Sequence, residues 1–131
     1  MAAFSNKEEL YQTLGALWDR IKAHPEMSKR LLAEGLIIRF NYKDPDACIT
    51  IDCSDHQEIK VYPDHSDLTP TVEMTMKSDW AHRFWQGKEN VPAAMLQGKL
   101  VSKGSVAKAL GLLPTIKPAF AMYNSVLEEA A

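Results

Sequence analysis

Four histidines, at positions 24, 56, 65 and 82, are the side chains best suited to moving protons near neutral pH. Two of them follow an aspartate directly, as Asp55-His56 and Asp64-His65, and Ser54 and Ser66 stand close by. A nucleophile, a base and an orienting carboxylate would support acyl transfer if the fold joined them by hydrogen bonds. Their spacing does not suggest it. Both pairs fall in turn-like segments, and neither serine has the Gly-x-Ser-x-Gly setting of a nucleophile elbow. No two histidines share an element at ligand spacing. Phosphate-loop, dinucleotide, Cys-x-x-Cys and His-Glu-x-x-His motifs are missing. Cys48 and Cys53 lie on one expected strand and face opposite sides, which disfavours a mutual disulfide and a shared metal. Glu8-Glu9 and Glu128-Glu129 read as exposed helix-end charges. The expectation is a non-catalytic protein with no metal and no cofactor.

Composition narrows the partners. The 131 residues form one expected domain spanning 1–131, and 46% apolar content suffices for a sizeable core. Fifteen basic residues against seventeen acidic give a net charge of −2, with no Lys/Arg stripe to track nucleic acid. No apolar run approaches the ~18–20 residues of a membrane span. The segment MAAFSNKEEL lacks the pattern of a secretory signal, and the ending Glu128-Glu129-Ala130-Ala131 is not a peroxisomal Ser-Lys-Leu. A cytoplasmic location is expected.

The elements follow from period and punctuation. Ser5 and Glu8 fit a capping box before a helix carrying Leu10, Leu14, Leu17 and Ile21, with Tyr11 and Trp18 on its flank. Pro25 ends that helix near Ala23, and a second runs from Glu26 to Glu34 before Gly35. Alternation then predicts strands over 36–42, 47–53 and 58–62, joined by short polar turns into an antiparallel meander. A type I turn is expected at Lys43-Asp44-Pro45-Asp46. After a loop from Pro63 to Pro70, a strand over Thr71–Met76 points Val72, Met74 and Met76 one way. Ser78 is the expected cap of a short helix, and a second covers Val91–Gln97. The last strand is Lys99–Lys103. Ser105 caps a helix that Pro114 breaks, and Thr115–Glu129 is helical again. The fold class is α+β, a sheet of about five mainly antiparallel strands with helices largely on one side.

The informative feature is apolar bulk. Met74, Met76, Trp80, Phe84, Trp85, Met95, Leu96, Leu100, Leu110, Leu113 and Phe120 exceed what one sheet face needs. At these spacings such a cluster fits a solid core well. It also fits the lining of a pocket, since methionine adapts to irregular apolar shapes.

From Val72 to Leu110 the order is apolar strand, Ser78-Asp79-Trp80 helix start, Met95-Leu96, then Gly98-Lys99-Leu100 and Lys103-Gly104 before an apolar helix. This resembles the sterol carrier protein 2 sterol-transfer family, whose members carry a similar Met-x-x-Gly-Lys-Leu-x-x-x-Gly segment. The likeness spans roughly Leu32 to Leu113. It implies an apolar tunnel holding a sterol-like, fatty acid or fatty acyl-CoA ligand, with the cluster above as its lining and the helix from Thr115 as its lid. The alternative is an accessory protein supporting an enzyme of lipid or quinone metabolism, through a protein partner or as a homodimer. Stable membrane insertion is expected in neither case. Two positions depart from the family pattern. Ser102 stands in phase with Leu100, its hydroxyl expected on a backbone carbonyl, with a ligand head group as the other option. Ser105 stands where Asp is common, and both residues cap helices.

Overall fold

A computed structural model of the chain describes residues 2–130. In chain order it contains α1 (Lys7–Ala23), α2 (Pro25–Glu34), β1 (Ile37–Lys43), β2 (Ala47–Asp52), β3 (Lys60–Pro63) and β4 (Val72–Lys77). Then follow α3 (Ser78–Trp85), α4 (Val91–Leu96), β5 (Leu100–Gly104), α5 (Val106–Leu110), α6 (Leu113–Ile116) and α7 (Pro118–Ala130). The strands form one mixed sheet in the order β3-β2-β1-β4-β5. Its single parallel pair, β1 with β4, lies between antiparallel neighbours.

Register explains why all the helices gather on one side. Ile38 pairs with Ile51 and Val72, Phe40 with Ile49 and Met74, and Tyr42 with Met76. Met76 in turn faces Leu100. Partners across a ladder share a face, so period-2 alternation in four strands sums to one continuous apolar surface. Helix residues close over it: Leu10, Leu14, Leu17 and Ile21 of α1, Met27 and Leu31 of α2, and Ala119 and Tyr123 of α7 are buried. The opposite face is polar. There Arg39 donates to Thr50 Oγ1 (3.2 Å) and to the Ser66 and Leu68 carbonyls (3.2 and 2.5 Å), holding the 64–70 loop against the sheet.

Local signals shift by a residue or two where a side chain finds a better partner. Asn6, rather than Ser5, caps α1, its Oδ1 accepting from Glu9 N at 2.9 Å. Ser78 does not cap α3. Its buried hydroxyl donates to the Pro45 carbonyl at 2.9 Å, tying the β1–β2 turn to the start of that helix. That turn is not type I, because Asp44 has a left-handed backbone (φ 57°) and the Asp44–Pro45 peptide is cis. Ser105 occupies the cap of α5 without a side-chain hydrogen bond. Pro114 does not break a helix; it sits in the first turn of α6, where no intrahelical N–H is lost.

Candidate functional site

The apolar side of the sheet is not filled. A cavity opens between the sheet, α3 and the α5–α6 segment, comprising about 700 Å³ free of atoms including its mouth. About 70 Å³ of this admits the centre of a water-sized sphere. In that measure one water needs ~10–15 Å³, so the space is a slit with room for roughly five waters. Its lining draws on both clusters of buried side chains. Leu36, Ile38, Val72 and Ala109 make a small cluster separate from the main core, and Phe40, Met74 and Leu112 pack against both.

β1 contributes Ile38, Phe40 and Tyr42 to the lining, β4 contributes Met74 and Met76, and β5 contributes Leu100. Trp80, Phe84 and Trp85 come from α3, Trp18 from α1, Leu31 from α2 and Val91 from α4. Ala109, Leu110, Leu112, Leu113 and Ile116 close the far side from α5, α6 and their joint. All three tryptophans of the chain therefore touch the cavity. Trp80 stacks on Phe84 (centroids 5.6 Å apart), while Trp18 meets Trp85 edge-on (6.1 Å). Such pairs resist rotation, so this wall is stiff. The opposite wall is looser: α5 packs sparsely on the rest, and Leu110, Leu112 and Leu113 are only half-buried.

Eight of the twelve residues proposed from sequence line this space: Met74, Met76, Trp80, Phe84, Trp85, Leu100, Leu110 and Leu113. The other four do not. Met95 packs against the core elsewhere, and Leu96 is 91% exposed at the end of α4. Phe120 stands behind the wall, edge-on to Phe84 at 5.8 Å. Ser102 lies on the enclosed face but outside the lining, and its hydroxyl reaches no carbonyl: Oγ is buried without a partner. The segment expected as a lid, from Thr115 onward, is divided between two elements. The helix from Pro118 packs through buried Ala119, Tyr123 and Val126 and contributes nothing to the lining, whereas α5–α6 closes that side of the cavity. Ile38, Phe40 and Tyr42 were visible as an alternating strand, but only the parallel pairing of β1 with β4 sets them beside Met74 and Met76.

The electrostatics suit hydrocarbon. Among the lining residues only Tyr42 can ionise, and burial raises its phenol well above the ordinary range. Histidines and thiols lie elsewhere. His24 Nδ1 accepts from Met27 N and caps α2, His56 sits by the Leu32 carbonyl, and exposed His65 meets Asp67. Both cysteines are free, and burial pushes the Cys53 thiol up to about 12. Among the described residues no group of three or more His, Cys, Asp or Glu could hold a metal. No helix there is long and apolar enough to cross a membrane.

His82 makes a separate, testable contribution to the core beside this site. Its ring meets Phe4 edge-on, and Nδ1 shares a hydrogen bond with the Tyr123 hydroxyl at 2.7 Å. Burial lowers its pKa first of all, Lys88 and Arg83 add to that, and Asp79 opposes it. The unfolded chain takes up this proton near pH ~6.5 and the folded chain only below that. Stability should therefore hold above pH ~6.5 and fall as the pH drops toward the folded value. Urea midpoints between pH 8 and 5 should show this slope, and His82→Gln should flatten it. A slope unchanged in the variant would assign the proton to another group.

The SCP-2 sterol transfer family model matches residues 16–117, which takes in β1 to β5, the cavity and its cover. The chain belongs to that family. The fold agrees with SCP-2 structures. The sterol carrier protein domain 2 of Helicoverpa armigera superposes with a TM-score of 0.68 at 18% identity, covering 92% of this chain and 94% of that one. Apo sterol carrier protein 2 from Yarrowia lipolytica gives 0.61 at 21% identity over 82% and 86%. A UbiJ-SCP2 ubiquinone synthesis protein gives 0.60 at 11% identity over 77% and 83%. At these identities the likeness concerns the fold. Comparison with curated protein sequences gives no match.

Proposed function

We propose that this SCP-2 domain is a non-catalytic lipid carrier that holds one long hydrocarbon chain between the sheet and the α5–α6 cover. The observation that carries the reading is the apolar cavity between the sheet, α3 and α5–α6, in whose lining only Tyr42 can ionise. Burying ~16 methylenes at ~0.8 kcal/mol each supplies a gross ~13 kcal/mol. Lost translational freedom and chain ordering remove several to more than ten of these. A net affinity between millimolar and nanomolar follows, with weak discrimination of chain identity, because the hydrophobic contribution counts area. The slit is too narrow for a whole chain as it stands. Entry requires the space to widen, and the sparsely packed α5 with half-buried Leu110, Leu112 and Leu113 is the wall that can give way.

Native mass spectrometry of the protein as purified should show a fraction carrying lipid mass. A fluorescent alkyl lipid should saturate the delipidated protein at one equivalent. A protein that emerges empty and takes up no such probe overturns the reading. A second reading, an accessory protein for an enzyme of lipid or quinone metabolism, is favoured by protruding Leu96 and by the likeness to the UbiJ-SCP2 protein. Unsaturable probe binding together with co-purification of one enzyme would select it.

A further inference from the structure

Among the described residues three large apolar side chains are exposed, and two of them, Leu96 at 91% and Val101 at 48%, bracket Lys99 in sequence. The Lys99 amide donates to the Ala94 carbonyl at 2.9 Å, which keeps the end of α4 beside the start of β5. Val101 pairs with Thr75 on the outward, polar face of the sheet. Register adds charge at the same end. Lys43 of β1 pairs with Lys77 of β4, and the Met76–Leu100 pair is flanked by Lys77 on one strand and Lys99 on the other. Three exposed lysines therefore stand at the ends of three adjacent strands. Like charges side by side on a ladder repel and cost stability. Among the described residues none of the three forms an ion pair. Asp44 and Asp46 follow Lys43 in its turn and offset part of its charge, while Asp79, two residues beyond Lys77, accepts from Ala3 N at 2.9 Å. From Asn90 to Leu127 the chain carries Lys99, Lys103, Lys108 and Lys117 and no carboxylate side chain.

We propose that this corner, Lys43, Lys77 and Lys99 with protruding Leu96 and Val101, docks the domain on an anionic lipid surface. A lysine row without carboxylate partners is complementary to a layer of negative head groups, and each lysine brought near that layer adds to binding. An apolar side chain that projects among the head groups adds its own transfer energy. The shape favours lipid over a protein partner. Leu96 projects alone, and fluid hydrocarbon needs no matching pocket to receive it. The net charge of −2 does not oppose the contact, because at about 0.1 M salt a surface feels charges only within ~10 Å. Leu100, between Lys99 and Val101, points inward and lines the cavity, so the docking corner adjoins the cavity wall. This surface goes beyond the carrier reading, and its test does not depend on what the cavity holds.

Co-sedimentation with vesicles reads the contact. The protein should bind vesicles of phosphatidylcholine mixed with phosphatidylglycerol, bind pure phosphatidylcholine weakly, and leave the anionic vesicles as salt is raised. Lys43→Gln, Lys77→Gln and Lys99→Gln together should lower the affinity for anionic vesicles about a hundredfold, with no loss of thermal stability because the repulsion is relieved. Leu96→Ser should lower it about tenfold. Lys7→Gln, Lys22→Gln and Lys29→Gln together, on α1 and α2, give the same net charge and should bind as the wild type does. None of these seven residues lines the cavity. In the unaltered chain, anionic bicelles carrying a spin-labelled lipid should broaden the Leu96 and Val101 methyl resonances and spare the ring of Tyr62 on β3, at the opposite edge of the sheet. No binding to anionic vesicles, equal losses from the two triple variants, or broadening at Tyr62 in place of Leu96 overturns the docking surface. So does a dimer on a sizing column that Leu96→Ser abolishes, in protein that leaves the vesicles unbound, since the corner would then belong to a second copy.

Discussion

An Ala109→Phe protein should fold as well as the wild type and lose about a hundredfold in affinity for a long alkyl chain. Ala109 is 7% exposed on α5 and its methyl faces the cavity. A phenyl ring there takes the space of roughly four methylenes, ~3 kcal/mol of burial that a guest can no longer gain. In a solid core the same change would overpack and cost ~1–3 kcal/mol of stability. The hollow reverses that expectation, because the ring fills space that is already empty. Thermal unfolding and probe titration on the same sample check both halves. A large fall in melting temperature would mean that the space around Ala109 is filled.

The second large effect concerns the strand end that launches the cover. Gly104→Ala should destabilise the protein by ~3 kcal/mol or more, on the order of 10 °C in melting temperature. Gly104 pairs with Val72 at the end of β5 with φ at 91°, where side chains are rarely accommodated. A Cβ there would lie 2.2 Å from the Thr71 carbonyl oxygen, and that oxygen accepts from Ser105 N at 2.9 Å. Backbone must therefore move, and with it the turn from β5 into α5. Gly98 supplies the control. Its φ is 73°, yet a Cβ would meet nothing within 4 Å, so Gly98→Ala should cost only ~1 kcal/mol of strain. Equal losses from both substitutions would show that the close approach at Thr71 is unimportant.

Much of this arrangement was legible in the chain itself. Alternation over Leu36–Tyr42 and Val72–Met76 gives two strands with one greasy face each, and helical spacing from Leu10 to Ile21 gives the layer above. These signals are local, and they hold because each buried face is continuous. What stayed hidden depends on contacts between distant segments. No periodicity says that β4 runs parallel to β1, so the assembly of Phe40 with Met74 could not be read. Leu96 has the composition of a lining residue but falls at the last turn of a six-residue helix, where its direction is outward. Ser102 shows the same limit from the polar side. Strand phase placed its hydroxyl on the enclosed face, but finding no carbonyl within reach required the whole packing. The cavity itself is a shortage of atoms, and sequence encodes only the atoms that are present.

The central claim is tested most directly by isotope-filtered NOE spectroscopy on ¹³C-labelled protein carrying one unlabelled alkyl chain. Cross-peaks should run from the chain to methyls of Ile38 and Leu100 on the sheet and of Leu110 and Leu113 on the cover, which the lining places on opposite walls. Cross-peaks confined to the exposed Leu96 and Val101 would contradict the account, because the hydrocarbon would then lie on the surface of the domain and not within it.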